Sequence, residues 1–168
     1  VIGSGAREHA IVRAVKRSPK NKKIFCLGSN VNPGIAELCA DFTVANINHK
    51  QTITNYADKK AVDLAIIGPE NPLAIGAADA LWGIGIKVVG PMKDLAQIET
   101  SKAFARDLLT EYNIPGSPKY KKFSSLVGVI EFLNELGENY VVKFDGLAGG
   151  KGVKVSGDHL HSHDDAKV

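Results

Sequence analysis

A glycine-rich turn, Gly3-Ser4-Gly5-Ala6-Arg7-Glu8-His9, separates the first β-like run from the first helix-like stretch. Glycines in that position let backbone N–H groups at a helix N-terminus face an anion, usually a phosphate. Arg7, Glu8 and His9 add a cation, a carboxylate and an imidazole, which is unusual for a plain tight turn. A dinucleotide fingerprint does not fit. It needs glycine where Glu8 stands, and an acidic residue about 20 positions on, where the second strand instead ends in Leu27-Gly28-Ser29.

Two further loops have the same character. Asn32-Pro33-Gly34 follows the second predicted strand, and Gly68-Pro69-Glu70-Asn71-Pro72-Leu73 follows the fourth. Open α/β sheets bind ligands outside the carboxyl ends of their strands, so Gly5, Arg7, Glu8, His9, Asn32, Gly34, Gly68, Pro69 and Glu70 are expected to converge on one ligand-binding crevice. Glu70 can accept hydrogen bonds from an amine or from ribose hydroxyls. It can equally favour the positive end of a helix starting near Leu73.

A fourth candidate is the run from Lys143 to Val153, KFDGLAGGKGV, with glycines at 146, 149, 150 and 152 between two apolar runs. Such a stretch can form a flap whose N–H groups and ammonium cover a triphosphate. It is not a Walker loop, because Lys151 is followed by Gly152 and a strand instead of Ser or Thr and a helix. A long hairpin loop would explain the glycines but not the flanking Lys143 and Lys151.

The elements that must hold these loops alternate strand and helix. Strands are predicted at 1–3, 24–27, 42–45, 64–68 and 87–90, with helices at 8–16, 50–60 and 73–84. Ile11, Ala14 and Val15 share one face of the first helix. This is the pattern of a doubly wound parallel sheet. Gly90-Pro91 closes it, a charged stretch over 93–100 reads as a linker, and a helix over 101–112 opens a second domain, with Ser101 or Thr100 available as N-cap. Beyond an Ile114-Pro115 break come a strand at 120–123, a helix at 125–136 and strands at 140–144 and 153–155. The expected organisation is a Rossmann-like α/β domain over 1–92, the linker, and the incomplete start of an α+β domain over 101–168.

Bulk composition narrows the function classes. The 168 residues carry a formal charge of +3, with 44% hydrophobic and 23% charged residues. No apolar run approaches the roughly 20 residues of a membrane span, and the Lys and Arg residues are too dispersed for a nucleic-acid surface. Cys26 and Cys39 are the only cysteines; reduced thiols in a cytoplasmic protein are the expected reading. His159, His161 and His163 alternate near the end, where a polar tail is the commoner case than a metal site, so no metal ligand is assigned. Lys20 to Lys23 read as a solvated turn. A start at Val1 within a strand pattern and an end at Lys167-Val168 without a closing strand read as an incomplete chain.

Taken in order, Gly5 to Ala10, Gly68-Pro69-Glu70 with Pro72-Leu73, Gly90-Pro91, Ser101 to Phe104, Ile114-Pro115 and Lys143 to Val153 resemble the phosphoribosylamine-glycine ligase family across essentially the whole chain. The resemblance implies a substrate-binding N-terminal domain before an ATP-grasp domain, and ATP-dependent joining of glycine to phosphoribosylamine through a glycyl phosphate in purine synthesis. It places Gly5, Arg7, Glu8, His9 and Gly68-Pro69-Glu70 on the substrate side. Lys102, Lys143, Gly146, Gly149, Gly150, Lys151 and Gly152 fall to the nucleotide, with Lys151 in a catalytic role. Magnesium, or manganese, is implied, held by an acidic stretch of the family pattern that this chain lacks, so the 168 residues alone are expected to be inactive. Phe144 stands where the family usually has a small residue, and Gly149 where it often has Ala. Another ATP-grasp carbon-nitrogen ligase and a non-catalytic phosphoribosyl-binding module are the alternatives.

Overall fold

The structure is a computed structural model, described for residues 1–20 and 22–167; Asn21, in the expected solvated turn, and Val168 lie outside the described residues. The chain divides into two compact units, Val1–Gln97 and a second from Ile98 onward.

In the first unit the order is α1 (Ala6–Arg17), β1 (Phe25–Gly28), α2 (Pro33–Ala36), β2 (Asp41–Val44), α3 (Lys50–Lys59), β3 (Leu64–Ile66), α4 (Glu70–Ala74), α5 (Ala77–Gly83) and β4 (Lys87–Val89), and α6 (Lys93–Thr100) includes the chain position at which the units divide. β1 pairs in parallel with β2, Phe25 opposite Asp41, and β3 with β4, Leu64 opposite Lys87. The predicted first strand shrinks to a parallel bridge at Ile2, which joins Leu27 on one side and Ile67 on the other. Hydrogen bonds from Gly3 N–H to the Leu27 carbonyl and from Ile2 N–H to the Ile66 carbonyl, each 2.8 Å, complete the link. The extended segments therefore run β2, β1, Ile2, β3, β4, all parallel.

Neighbouring residues of β1 feed different cores, as the two-residue period of a strand requires. Cys26 packs with Val12 of α1, Ile24 and Ile35 of α2, whereas Leu27 packs with Ile53 of α3, Ala65 of β3 and Leu81 of α5. Val12, Ile35 and Leu81 are wholly buried, each contributing roughly 1.5–3 kcal/mol by leaving water. Burial also pushes the Cys26 thiol up to about 12, and both cysteines are free.

A polar cluster ties α3 to the β1–β2 edge. Lys60 Nζ lies 3.0 Å from Asp41 Oδ1. The Tyr56 hydroxyl is 2.8 Å from Asp41 Oδ2 and 3.1 Å from the Cys26 carbonyl. The Lys60 ammonium first, and the Tyr56 hydroxyl second, hold the Asp41 carboxyl below the usual carboxylate range. A depressed folded pKa stabilises above the unfolded value of about 4 and loses that contribution as pH falls through the folded value. Asp41→Asn is therefore expected to be less stable than wild type at pH 7 by up to about 1 kcal/mol, since the pair is partly exposed. In urea melts the gap should close on acidification; a gap unchanged between neutral and strongly acid pH would contradict this.

Two expectations are corrected here. The helix predicted over 73–84 is two helices, α4 and α5, broken at Gly76, whose φ of +80° reverses the chain. The stretch read as a linker over 93–100 is helical, its start fixed by the Asp79 carboxylate accepting from Lys93 N–H at 2.9 Å.

The second unit comprises α7 (Lys102–Glu111), α8 (Val129–Leu136), the antiparallel pair β5 (Val141–Lys143) and β6 (Val153–Val155), and a 3-10 turn at Asp164–Lys167. Its core is Val129, Leu133, Tyr140, Leu160 and Ala166. Residues 120–123 are not a strand, because no segment among the described residues offers them a ladder. Their side chains are engaged instead: Tyr120 donates to Asp107 at 2.8 Å, Lys122 pairs with Asp107, and Phe123 lies 6.0 Å from the Phe132 ring. α8 starts at Val129, later than predicted, since Gly128 with φ +79° holds its N-cap. Among the described residues no helix is long and apolar enough to cross a membrane.

Candidate functional site

The three loops of the first unit meet at the carboxyl ends of Ile2, β1 and β3, and the glycine-rich turn touches both of the others. On one side Arg7 donates from Nη1 to the Gly68 carbonyl at 2.5 Å, and its Nη2 lies 3.1 Å from Glu70 Oε1. On the other side Asn32 Nδ2 donates to the Ser4 carbonyl at 3.0 Å, and the His9 imidazole lies against Gly34 so closely that a Cβ there would stand 2.6 Å from its Cε1. Asn32 also accepts from Ile35 N–H at 3.3 Å, capping the short α2 with Pro33 in its first turn.

Glu8 points inward and is 4% exposed. Its Oε2 accepts from Gly5 N–H at 2.6 Å, satisfying an amide at the α1 N-terminus where a carboxylate is also favoured by the dipole. Space for it depends on glycine. A Cβ at Gly68 would lie 2.0 Å from Glu8 Oε1, and one at Gly3 would lie 2.8 Å from both Glu8 Cδ and Pro69 Cδ. Gly3, at φ +111°, is besides in a conformation that side chains rarely adopt. Glu8 thus cements the turn to the Gly68 loop, while Arg7, about 58% exposed at its side chain, faces solvent. Pro69 is the N-cap of α4 and Glu70 its first residue, so that helix begins three residues earlier than read from sequence.

Next to this cluster a cleft of about 420 Å³ opens between α1 and α2, lined by His9, Arg13, Lys16, Arg17, Gly34, Glu37 and Leu38. Arg13, Lys16 and Arg17 escaped the sequence reading. Their signal was the spacing from His9, which puts all four along one side of a helix.

In the second unit Lys143 closes β5 and Val153 opens β6 opposite it. The turn between them has positive φ at Gly146 (+140°), Gly149 (+55°) and Gly150 (+79°). It is pinned by Phe144 N–H to the Gly152 carbonyl at 2.8 Å and Lys151 N–H to the Ala148 carbonyl at 3.0 Å. A Cβ at Gly152 would meet Ala148 Cβ at 2.7 Å, so the turn closes only around glycine. Gly146 and Lys102 are brought together: Lys102 Nζ donates to the Gly146 carbonyl at 2.7 Å. Lys143 and Lys151 are exposed. Among the described residues no group of three or more His, Cys, Asp or Glu side chains is arranged to hold a metal. His163 is instead edge-on to Tyr140 and 2.9 Å from Asn134 Oδ1.

Residues 1–99 match the phosphoribosylglycinamide synthetase N domain, and residues 100–167 match that enzyme's ATP-grasp (A) domain. The fold and the order of its parts are those of the ATP-grasp class. The crystal structure of phosphoribosylamine-glycine ligase from Thermotoga maritima matches 98% of the chain with a TM-score of 0.71 at 23% identity, this chain covering 36% of it. A biotin carboxylase from Campylobacter jejuni, solved as a β-γ-ATP complex, matches 99% with a TM-score of 0.72 at 17% identity, with 39% of it covered. These likenesses speak for the fold alone. In sequence, a phosphoribosylamine-glycine ligase from Methanococcoides burtonii is 47% identical over 160 residues, 95% of this chain. This chain belongs to the phosphoribosylglycinamide synthetase family. It spans 37% of the length of that relative.

Proposed function

We propose that the complete protein containing this chain ligates glycine to 5-phosphoribosylamine at the expense of ATP, forming glycinamide ribonucleotide, ADP and phosphate in purine synthesis. The observation that carries the reading is the 47% identity to a phosphoribosylamine-glycine ligase over nearly the whole chain. The first unit, read as a doubly wound sheet because its parallel strands have distinct cores on their two faces, supplies the phosphoribosylamine side. Arg7, His9, Asn32, Gly34, Gly68, Pro69 and Glu70 border that substrate, and the cations beside His9 suit its phosphate. Gly5 and Glu8 shape the turn, the Glu8 carboxylate being spent on Gly5 N–H.

In the second unit Lys102, Lys143 and the turn Gly146–Gly152 take the nucleotide phosphates, with Lys151 offsetting charge on the transferring phosphoryl group. A glycine carboxylate oxygen attacks the γ-phosphorus and ADP leaves; the amine of phosphoribosylamine then attacks the acyl carbon and phosphate departs with that oxygen. A closed glycine flap keeps water from the acyl phosphate. Acidic side chains elsewhere in the complete protein would hold magnesium. The place of action is the cytoplasm and the partners are small molecules. The test is phosphate release from ATP by the complete protein, expected only when glycine and phosphoribosylamine are both present. Release that ignores either one, or that prefers another acid or amine, would favour a different member of the class.

A further inference from the structure

The root of the glycine turn is fastened to the start of α7 by contacts that the roles above do not use. The Ser101 hydroxyl lies 3.2 and 3.1 Å from the two oxygens of the Asp145 carboxylate and donates to it. Asp145 Oδ1 also accepts from Ala103 N–H at 3.1 Å. The same Ser101 oxygen accepts from Phe104 N–H at 3.0 Å, so it is used as donor and acceptor together. Two of the amides that a helix N-terminus leaves without partners are satisfied in this way, one by Ser101 and one by Asp145. The carboxylate also sits where the helix dipole favours negative charge.

Asp145 is followed by Gly146, whose φ of +140° starts the turn, and between Ser101 and Ala103 stands Lys102, whose ammonium is on the Gly146 carbonyl at 2.7 Å. One clamp therefore sets both the origin of the flap and the reach of Lys102. An exposed carboxylate two residues past the end of β5 would ordinarily be left in water. Here all three of its contacts are to the two residues flanking Lys102.

We propose that Asp145 is a positioning residue for nucleotide: with Ser101 it holds the flap root on α7, so that Lys102 and the turn 146–152 address the same phosphate group. The proposal rests on the reading of that turn as the nucleotide flap. It differs from an electrostatic role, since a carboxylate near phosphates would by itself weaken binding; its value lies in being held by Ala103 N–H and the Ser101 hydroxyl.

The experiment uses the complete protein with Asp145→Ala and Asp145→Asn. In the first, KM for ATP should rise about tenfold, the size expected for losing charge-assisted hydrogen bonds, with KM for glycine and the thermal midpoint little changed. Asp145→Asn keeps an acceptor oxygen for Ala103 N–H and should recover most of the loss. A second readout does not need turnover: trypsin should cut after Lys151 several times faster in Asp145→Ala than in wild type, and near the wild-type rate in Asp145→Asn. Unchanged cleavage together with an unchanged KM for ATP overturns the clamp, as does a loss of thermal stability that accounts for all the lost activity. If the wild-type protein shows no glycine-dependent turnover but the difference in cleavage persists, the ligase reading fails and the clamp stands.

Discussion

Gly68→Ala should destabilise the first unit by about 1–3 kcal/mol, the range for overpacking a filled site. The new methyl would stand 2.0 Å from Glu8 Oε1 and 2.6 Å from Glu8 Cδ. A flexible carboxylate could swing aside on an open surface, but Glu8 is buried and holds Gly5 N–H at 2.6 Å. Moving it would leave that amide without its partner, a cost comparable to the clash itself. The residue therefore has nowhere to go. A double-mutant cycle in urea isolates the effect. Glu8→Ala removes the obstacle, so Glu8→Ala with Gly68→Ala should be less destabilised than the sum of the two by about 1 kcal/mol. Strict additivity would mean that Glu8 is not what fills the space beside Gly68. In the complete protein the same change should raise KM for phosphoribosylamine more than KM for ATP, because the Gly68 carbonyl is also what Arg7 holds.

Lys151→Ala carries the other large effect, and it falls on activity. The ammonium sits on an exposed turn with no hydrogen bond or ion pair among the described residues, so truncation should change stability by less than about 0.5 kcal/mol. A cation aimed at a transferring phosphoryl group contributes far more, and kcat/KM for ATP should fall about 100-fold or more. Lys151→Arg keeps the charge while altering its reach, and is expected to fall between. Matching losses of stability and turnover would show that Lys151 holds the hairpin together and does not serve the nucleotide.

Much of the fold was legible because its punctuation is local. Gly3-Ser4-Gly5, Gly28-Ser29-Asn30 and Gly68-Pro69 each end an apolar run with residues that cannot continue it, so the positions of the loops followed from sequence. That they touch was predictable from strand parallelism; how they touch was not. The inward turn of Glu8 had a sequence signal, a carboxylate three residues after Gly5, the spacing at which a side chain returns to the N-cap amide. It was overlooked because a charged residue beside Arg7 and His9 invites a ligand reading. The break at Gly76 was hidden inside apolar spacing that fits one helix as well as two. Helix α6 was masked by Lys93, Asp94 and Glu99, although Leu95, Ala96 and Ile98 give it an apolar side. The clamp at Asp145 lies beyond any local signal, since its partners are more than 40 positions earlier in the chain.

The ligase reading is tested most directly by running the turnover with glycine whose carboxylate oxygens are labelled with ¹⁸O. With the complete protein, ATP and phosphoribosylamine, one labelled oxygen should appear in each phosphate released, since the carboxylate oxygen that attacks phosphorus leaves with it. Phosphate released without label, or released when phosphoribosylamine is withheld, would mean that the γ-phosphoryl group goes to water or to another acceptor, and would contradict the assignment.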